Sequence, residues 1–242
     1  MNDTQDYIIE LPNSGKIHGI LRGSLEEQEP LIIFVHGLTD SPKNLVIYTG
    51  AKYLSQKGFT TFSIFLYDDS EEYRNLSSTS LDDNVNDLEV VVQHFRSLGF
   101  KFIYGVGHSY GGLAIIKSKA GFDKLVLWDP SHGLAYRKVN NYPEILLDNY
   151  IIGTQGQGYV YPKEVKEYNK KIGDNSKWAQ NLSCPVKFIC AENGVLIETS
   201  KMYSRYLKNN FEFCIIEGAS HNFDDSDQVI GKLHLETYKW FK

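Results

Sequence analysis

The sequence predicts an α/β domain: a mostly parallel eight-stranded sheet with helices on both faces and a small cap insertion. Three observations predict it. Short, β-branched apolar runs alternate with helix-length amphipathic stretches, the pattern of strands joined by crossover helices. The run 31–35, Leu-Ile-Ile-Phe-Val, is apolar at every position, as a strand covered on both faces requires. The alternation is broken once, over residues 130–184, by an irregular stretch rich in Tyr, Asn and Gly. Loops that long inside a compact domain usually carry function, so this stretch is expected to form the cap. A chain of 242 residues suffices for one sizeable core and is short for two, so residues 1–242 are expected to be a single domain.

Strands at 7–11 and 16–22 flank Pro12-Asn13-Ser14-Gly15, a turn sequence, and predict a hairpin. After the strand 31–35, a helix is expected over 44–56, with Gly58 where a C-terminal cap belongs. A strand at 60–66 leads into a polar loop, 68–80. Val85, Leu88, Val91, Val92 and Phe95 share one face of a helix over 83–98, which Gly99 stops. A strand at 102–106, a helix at 110–117 and a strand at 125–128 precede the insertion. Strands at 186–191 and 212–216 come after it, with helices over 199–208 and 228–240.

Composition narrows the class. The chain is 42% hydrophobic and 23% charged, ordinary for a globular domain. A formal charge of −5 and the lack of a Lys/Arg cluster give no reason to expect nucleic acid. No apolar stretch approaches a membrane span, and the first residues lack the basic start and apolar run of a signal peptide. Cys184, Cys190 and Cys214 show no zinc-ligand spacing. A reduced, cytoplasmic protein without metal or cofactor is the expectation.

The chemistry begins at Gly107-His108-Ser109-Tyr110-Gly111, a Gly-x-Ser-x-Gly pattern between a strand and a helix. A serine there stands at the tip of a sharp, strained turn, and side chains at 107 and 111 would clash. The helix beginning after Ser109 aims its amides and positive dipole end at a developing oxyanion. Ser109 is therefore the expected nucleophile. It needs a base. Of seven histidines, His36 and His108 belong to loop-shaping motifs, and His18, His94 and His234 sit in strand- or helix-like contexts. His132 follows the sixth strand and could reach the site from the cap. His221 follows the last strand and a Gly-Ala turn.

These motifs resemble the α/β-hydrolase superfamily, specifically its small bacterial esterase and lipase-like members of the cinnamoyl (feruloyl) esterase type. The resemblance spans nearly the whole chain. It rests on Val35-His36-Gly37-Leu38-Thr39-Asp40-Ser41, on Gly107 to Gly112, on Cys184-Pro185-Val186 and on Glu217-Gly218-Ala219-Ser220-His221-Asn222-Phe223. It implies an α/β-hydrolase fold, His221 as general base, and an oxyanion hole formed by the backbone N–H groups of Leu38 and Tyr110. Tyr159-Val-Tyr-Pro-Lys-Glu-Val-Lys-Glu-Tyr resembles the start of a cap helix in such proteins.

The acid departs from the pattern. The superfamily usually carries an Asp after the seventh strand, and counting from Pro185 that position is Gly194. Asn193 or Glu192 on the same loop could substitute. Alternatively Asp129 could serve, at the end of the sixth strand in Trp128-Asp129-Pro130, where some lipase-like members place their acid in a similar Asp-Pro. Asp129 is the favoured candidate and Glu192 the alternative; a site with no working acid stays open. The expected activity is hydrolysis of a small-molecule carboxylic ester. Thioester hydrolysis or acyl transfer would use the same residues. A non-catalytic ligand binder, motivated by Gly194, is the competing class. Tyr136, Tyr142, Tyr150, Tyr159 and Tyr161 in the insertion would suit an aromatic acyl group.

Overall fold

A computed structural model of the chain describes residues 4–11, 15–26, 30–68, 74–133, 144–147, 150–153, 159–162 and 171–242. The main sheet contains β1 (Thr4–Glu10), β2 (Lys16–Arg22), β3 (Leu31–Val35), β4 (Thr60–Ile64), β5 (Ile103–His108), β6 (Lys124–Trp128), β10 (Val186–Ala191) and β11 (Phe211–Ile216). Their spatial order is β1-β2-β4-β3-β5-β6-β10-β11. The β1/β2 and β2/β4 pairs are antiparallel and all others parallel. The pairing of β1 with β2 is the expected hairpin; its turn, 12–14, lies outside the described residues.

Alternation along β3 explains the layering. Leu31, Ile33 and Val35 join one buried cluster with helices α2 (Leu81–Ser97) and α3 (Tyr110–Lys117). Ile32 and Phe34 point the other way, into a cluster with α1 (Leu45–Ser55) and α5 (Asp227–Phe241). Successive side chains leave opposite faces of a strand, so an all-apolar strand needs helices on both.

Several boundaries differ from expectation. Helix α2 starts at Leu81 because Ser80 and Asp83 form a reciprocal capping box: Ser80 Oγ accepts from Asp83 N (3.2 Å) and Asp83 Oδ2 from Ser80 N (2.9 Å). Helix α4 covers Ile197–Ser204. It stops before 208 because the chain tightens into turns, with Tyr206 N bonded to Tyr203 O and Leu207 N to Ser204 O. The loop 68–80 contains a 3-10 turn, Leu76–Ser78, capped by the Asn75 side chain.

The insertion differs most. It carries an antiparallel three-stranded sheet: β7 (Glu144–Leu147), β8 (Tyr150–Gly153) and β9 (Tyr159–Pro162). Residues 159–162 are therefore strand; residues 163–170, which hold the rest of the stretch expected to start a cap helix, lie outside the described residues, as do Tyr136 and Tyr142. Tyr-Val-Tyr suits a pleated surface. Pro162 is tolerated because β9 pairs only with β8 and ends there. The roots of the insertion meet, since Gly133 N donates to Asn175 Oδ1 at 2.8 Å.

The strand order fixes where a ligand site belongs. From β3 the chain crosses to β4 on one side and then returns to β5 on the other. The two connections diverge above the carboxyl ends of β3 and β5, and the loops there flank a crevice.

Candidate active site

Ser109 leaves β5 at that crevice. Its φ of 51° is left-handed, a strained conformation for a residue with a side chain. The glycines around it permit the turn. A Cβ on Gly107 would lie 2.8 Å from the backbone of Gly112, and one on Gly111 would run into the carbonyl oxygen of Val35. Helix α3 can thus start directly against the end of β3.

His221, on the loop after β11, faces Ser109, with Nε2 2.8 Å from Ser109 Oγ. Its other nitrogen, Nδ1, lies 2.5 Å from Asp129 Oδ2. An ionised carboxylate only accepts, so Nδ1 carries the proton and Nε2 is left to accept from the Ser109 hydroxyl. Asp129 is fully buried, whereas the His221 side chain is 38% exposed. Asp129 Oδ1 has no hydrogen-bond partner among the described residues, which leaves His221 as the carboxylate's described donor.

The four left-handed non-glycine residues among those described are Thr39, Ser109, Asp129 and Phe223. They belong to the loop after β3, the turn after β5, the turn after β6 and the loop carrying His221. Such strain persists only where surrounding structure holds it, and it gathers at functional sites. Here the surrounding structure is identifiable. Ser109 N donates to Trp128 O (3.0 Å), Asp129 N to Ile189 O (2.8 Å) and Ser131 N to Ser109 O (2.9 Å), so the ends of β5, β6 and β10 are tied together.

Two histidines shape the site. His36 is fully buried; its Nδ1–H donates to Gly37 O (2.8 Å) and its Nε2 accepts from Leu66 N (3.1 Å). Tyr67 OH also donates to Gly37 O (3.0 Å). With Gly37 O held by two donors, the trans peptide plane directs the Leu38 N–H the opposite way. His108 Nε2–H donates to the His221 carbonyl (2.9 Å), fixing the backbone of the loop that carries the imidazole. Burial pushes His36 down to about 4 and His108 to about 3, the latter helped by nearby His221. Both are neutral at neutral pH.

Leu38 lies in the loop after β3, beside Gly37, whose Cβ would be 3.4 Å from Ser109 Cβ. Tyr110 is the first residue of α3. Glu192 is exposed and its Oε2 accepts from Gly218 N (2.8 Å), bracing the turn that precedes His221 instead of meeting the imidazole. His132 is buried at the root of the insertion, where its Nε2 meets Ser176 Oγ (2.9 Å) and its ring lies 4.8 Å from Tyr203. Two residues at the site carry roles that the sequence does not announce. They are Tyr67 and Ser131, whose Oγ is 3.1 Å from Ser109 Oγ. The one signal for Ser131 is Pro130, which turns the chain back toward α3 immediately after Asp129.

Among the described residues, no group of three His, Cys, Asp or Glu is arranged to hold a metal ion. Cys184, Cys190 and Cys214 are free thiols, and burial pushes the first two up to about 12. No described helix is long and apolar enough to cross a membrane.

No family model and no curated protein sequence matches the chain. Solved structures do match over its whole length. Est1E from Butyrivibrio proteoclasticus aligns with a TM-score of 0.72 at 18% identity, covering 98% of each chain. A dienelactone hydrolase from Anabaena variabilis gives 0.70 at 16% identity, covering 98% of this chain and 97% of that one. An esterase from Pyrococcus furiosus gives 0.69 at 14% identity, covering 100% and 94%. The chain has the α/β-hydrolase fold, as its motifs implied.

Proposed function

We propose that the protein is a serine hydrolase that cleaves carboxylic esters through an acyl-enzyme on Ser109. The observation that carries this is the continuous hydrogen-bonded chain from Ser109 Oγ through His221 to buried Asp129, set in a strained turn at the carboxyl edge of the sheet. His221 Nε2 takes the Ser109 proton as Oγ attacks the ester carbonyl, then gives it to the departing alcohol. The backbone amides of Leu38 and Tyr110 hold the oxyanion. Water, deprotonated by His221, releases the acid. Asp129 keeps the proton on Nδ1 and stabilises the imidazolium. Residues 130–184 act as a cap on the same domain, their roots joined beside Ser109 through Ser131, Gly133 and Asn175.

The glycine at 194 is the feature that favours a non-catalytic binder; a Cβ there would lie 2.9 Å from Asp129 Oδ2, so an acid supplied by Asp129 accounts for the glycine equally well. Est1E is a structural neighbour solved with ferulic acid bound. This makes hydroxycinnamate esters reasonable members of a first substrate panel.

The test is a product assay on p-nitrophenyl and methyl hydroxycinnamate esters beside acyl-CoA thioesters. Faster turnover of the oxygen esters, lost in Ser109→Ala, supports the reading. Turnover confined to thioesters would reassign the leaving group, and no turnover of any of them would favour a binder.

A further inference from the structure

We infer that Ser131 is a second catalytic hydroxyl, acting in the half-reaction that releases the acyl group from Ser109. The inference rests on the serine-hydrolase reading above and deepens it. Ser131 Oγ lies 3.1 Å from Ser109 Oγ, and the residue is 7% exposed. Its backbone is held at both ends. The N–H donates to Ser109 O (2.9 Å) and the carbonyl accepts from Tyr203 OH (2.8 Å). Tyr203 is in turn held by Asn175 Nδ2 at 2.6 Å. This hydroxyl is therefore placed against the nucleophile by a buried network and not by a mobile loop.

The direction of the Ser131–Ser109 hydrogen bond follows from proton counting. His221 Nδ1–H is committed to Asp129, so Nε2 accepts, and the one Ser109 hydroxyl proton goes to it. Between the two serines, Ser131 must then donate and Ser109 Oγ accept.

That polarity affects the two half-reactions differently. In the free enzyme Ser109 Oγ is a hydroxyl oxygen that already accepts this bond, so attack on substrate gains little from it. In the acyl-enzyme Oγ is an ester oxygen, a poorer acceptor. During deacylation, water bonds to the acyl carbon and gives its proton to His221 Nε2. The carbon–Oγ bond then breaks with its electron pair on Oγ, which takes that proton back from Nε2. Charge develops on Oγ as the bond breaks, and the Ser131 O–H is aimed at it. An interaction stronger in the transition state than in the preceding ground state accelerates that step.

The test is Ser131→Ala assayed with p-nitrophenyl acetate, whose good leaving group makes acylation the fast step. Losing one such hydrogen bond predicts a ~10-fold fall in kcat. KM should fall in parallel, leaving kcat/KM within about twofold of wild type. The p-nitrophenol burst shared with wild type should lead into a ~10-fold slower steady state, and intact-mass measurement should show acetyl-enzyme decaying ~10-fold more slowly. Ser131→Thr, which keeps a hydroxyl, should recover kcat and the wild-type decay rate of the acetyl-enzyme. Equal falls in kcat and kcat/KM with acetyl-enzyme decaying at the wild-type rate, or no change in either, would overturn the role of Ser131 while leaving Ser109 in place. Turnover that survives Ser109→Ala would overturn the hydrolase reading, and this inference with it.

Discussion

The Asp129 carboxylate lies 2.9 Å, at Oδ2, from the point where a side chain on residue 194 would begin. The two positions compete for one space next to His221. At 194 any side chain meets the carboxylate of Asp129 and, at 3.1 Å, the carbonyl of Ala191. Glycine at 194 leaves the space that the Asp129 carboxylate occupies.

Gly194→Ala should therefore impair catalysis without unfolding the protein. The added methyl displaces a carboxylate held at 2.5 Å from His221 Nδ1. Displacing a catalytic group by a fraction of an ångström predicts a fall of about 10- to 100-fold in kcat/KM. Tm should change little, because only a carboxylate tip and the Ala191 turn must give. Ester hydrolysis and thermal unfolding of the one variant check both parts.

Exchanging the two candidate acids should separate them. Asp129→Asn preserves shape but offers an amide that can bond the wrong tautomer of His221, and the equivalent change in a well-characterised serine protease costs about 10⁴-fold in kcat. Glu192→Gln should leave kcat close to wild type, since its carboxylate braces Gly218 N. Comparable losses in both variants would contradict the assignment of roles.

Much of this arrangement is legible in the sequence, for local reasons. β3 declares itself by five consecutive apolar residues, and the serine turn by glycines that sterics demand. The acid is not local. Strands β6 and β10 are neighbours, and Asp129 N is bonded to Ile189 O, so acids ending either strand open onto the same edge. Only the spatial arrangement distinguishes Asp129 from Glu192. Ser131 is hidden for the same reason, because its partner is 22 residues away across the sheet edge. In the insertion, strands of four residues are too short for alternation to register.

The root of the insertion should matter to stability. Asn175 is 1% exposed and serves both Gly133 N and Tyr203 OH. Asn175→Ala strands a buried N–H and removes a donor to Tyr203, predicting a loss of ~1–3 kcal/mol. Urea unfolding measures it. A midpoint equal to wild type would mean that the network contributes nothing.

Acid should destabilise the fold before it titrates most carboxylates. Burial lowers His36 and His234 to about 4 and His108 to about 3. In the unfolded chain each would titrate near the ordinary imidazole value of 6.5. As pH falls below that value the unfolded state binds protons that the folded state does not. The stability present above it is then lost progressively down to the folded values. Each histidine contributes at most about 1.4 kcal/mol per pH unit. Asp40 opposes them, because burial raises it from 3.8 to about 6 and the folded state takes up its proton first. Burial also lowers His94 and His132 and raises Asp87, so the lowered histidines outnumber the raised carboxyls and predict a Tm that drops between about pH 6.5 and about pH 4. A flat or rising Tm over that window would contradict the burial of the histidines.

The central claim is that Ser109 is a nucleophile activated by His221. The most direct measurement is covalent labelling with a fluorophosphonate, followed by mass analysis of the modified peptide. One adduct is expected, on Ser109, absent in Ser109→Ala and strongly slowed in His221→Ala. Equal labelling of Ser109→Ala, or an adduct on another residue, would contradict it.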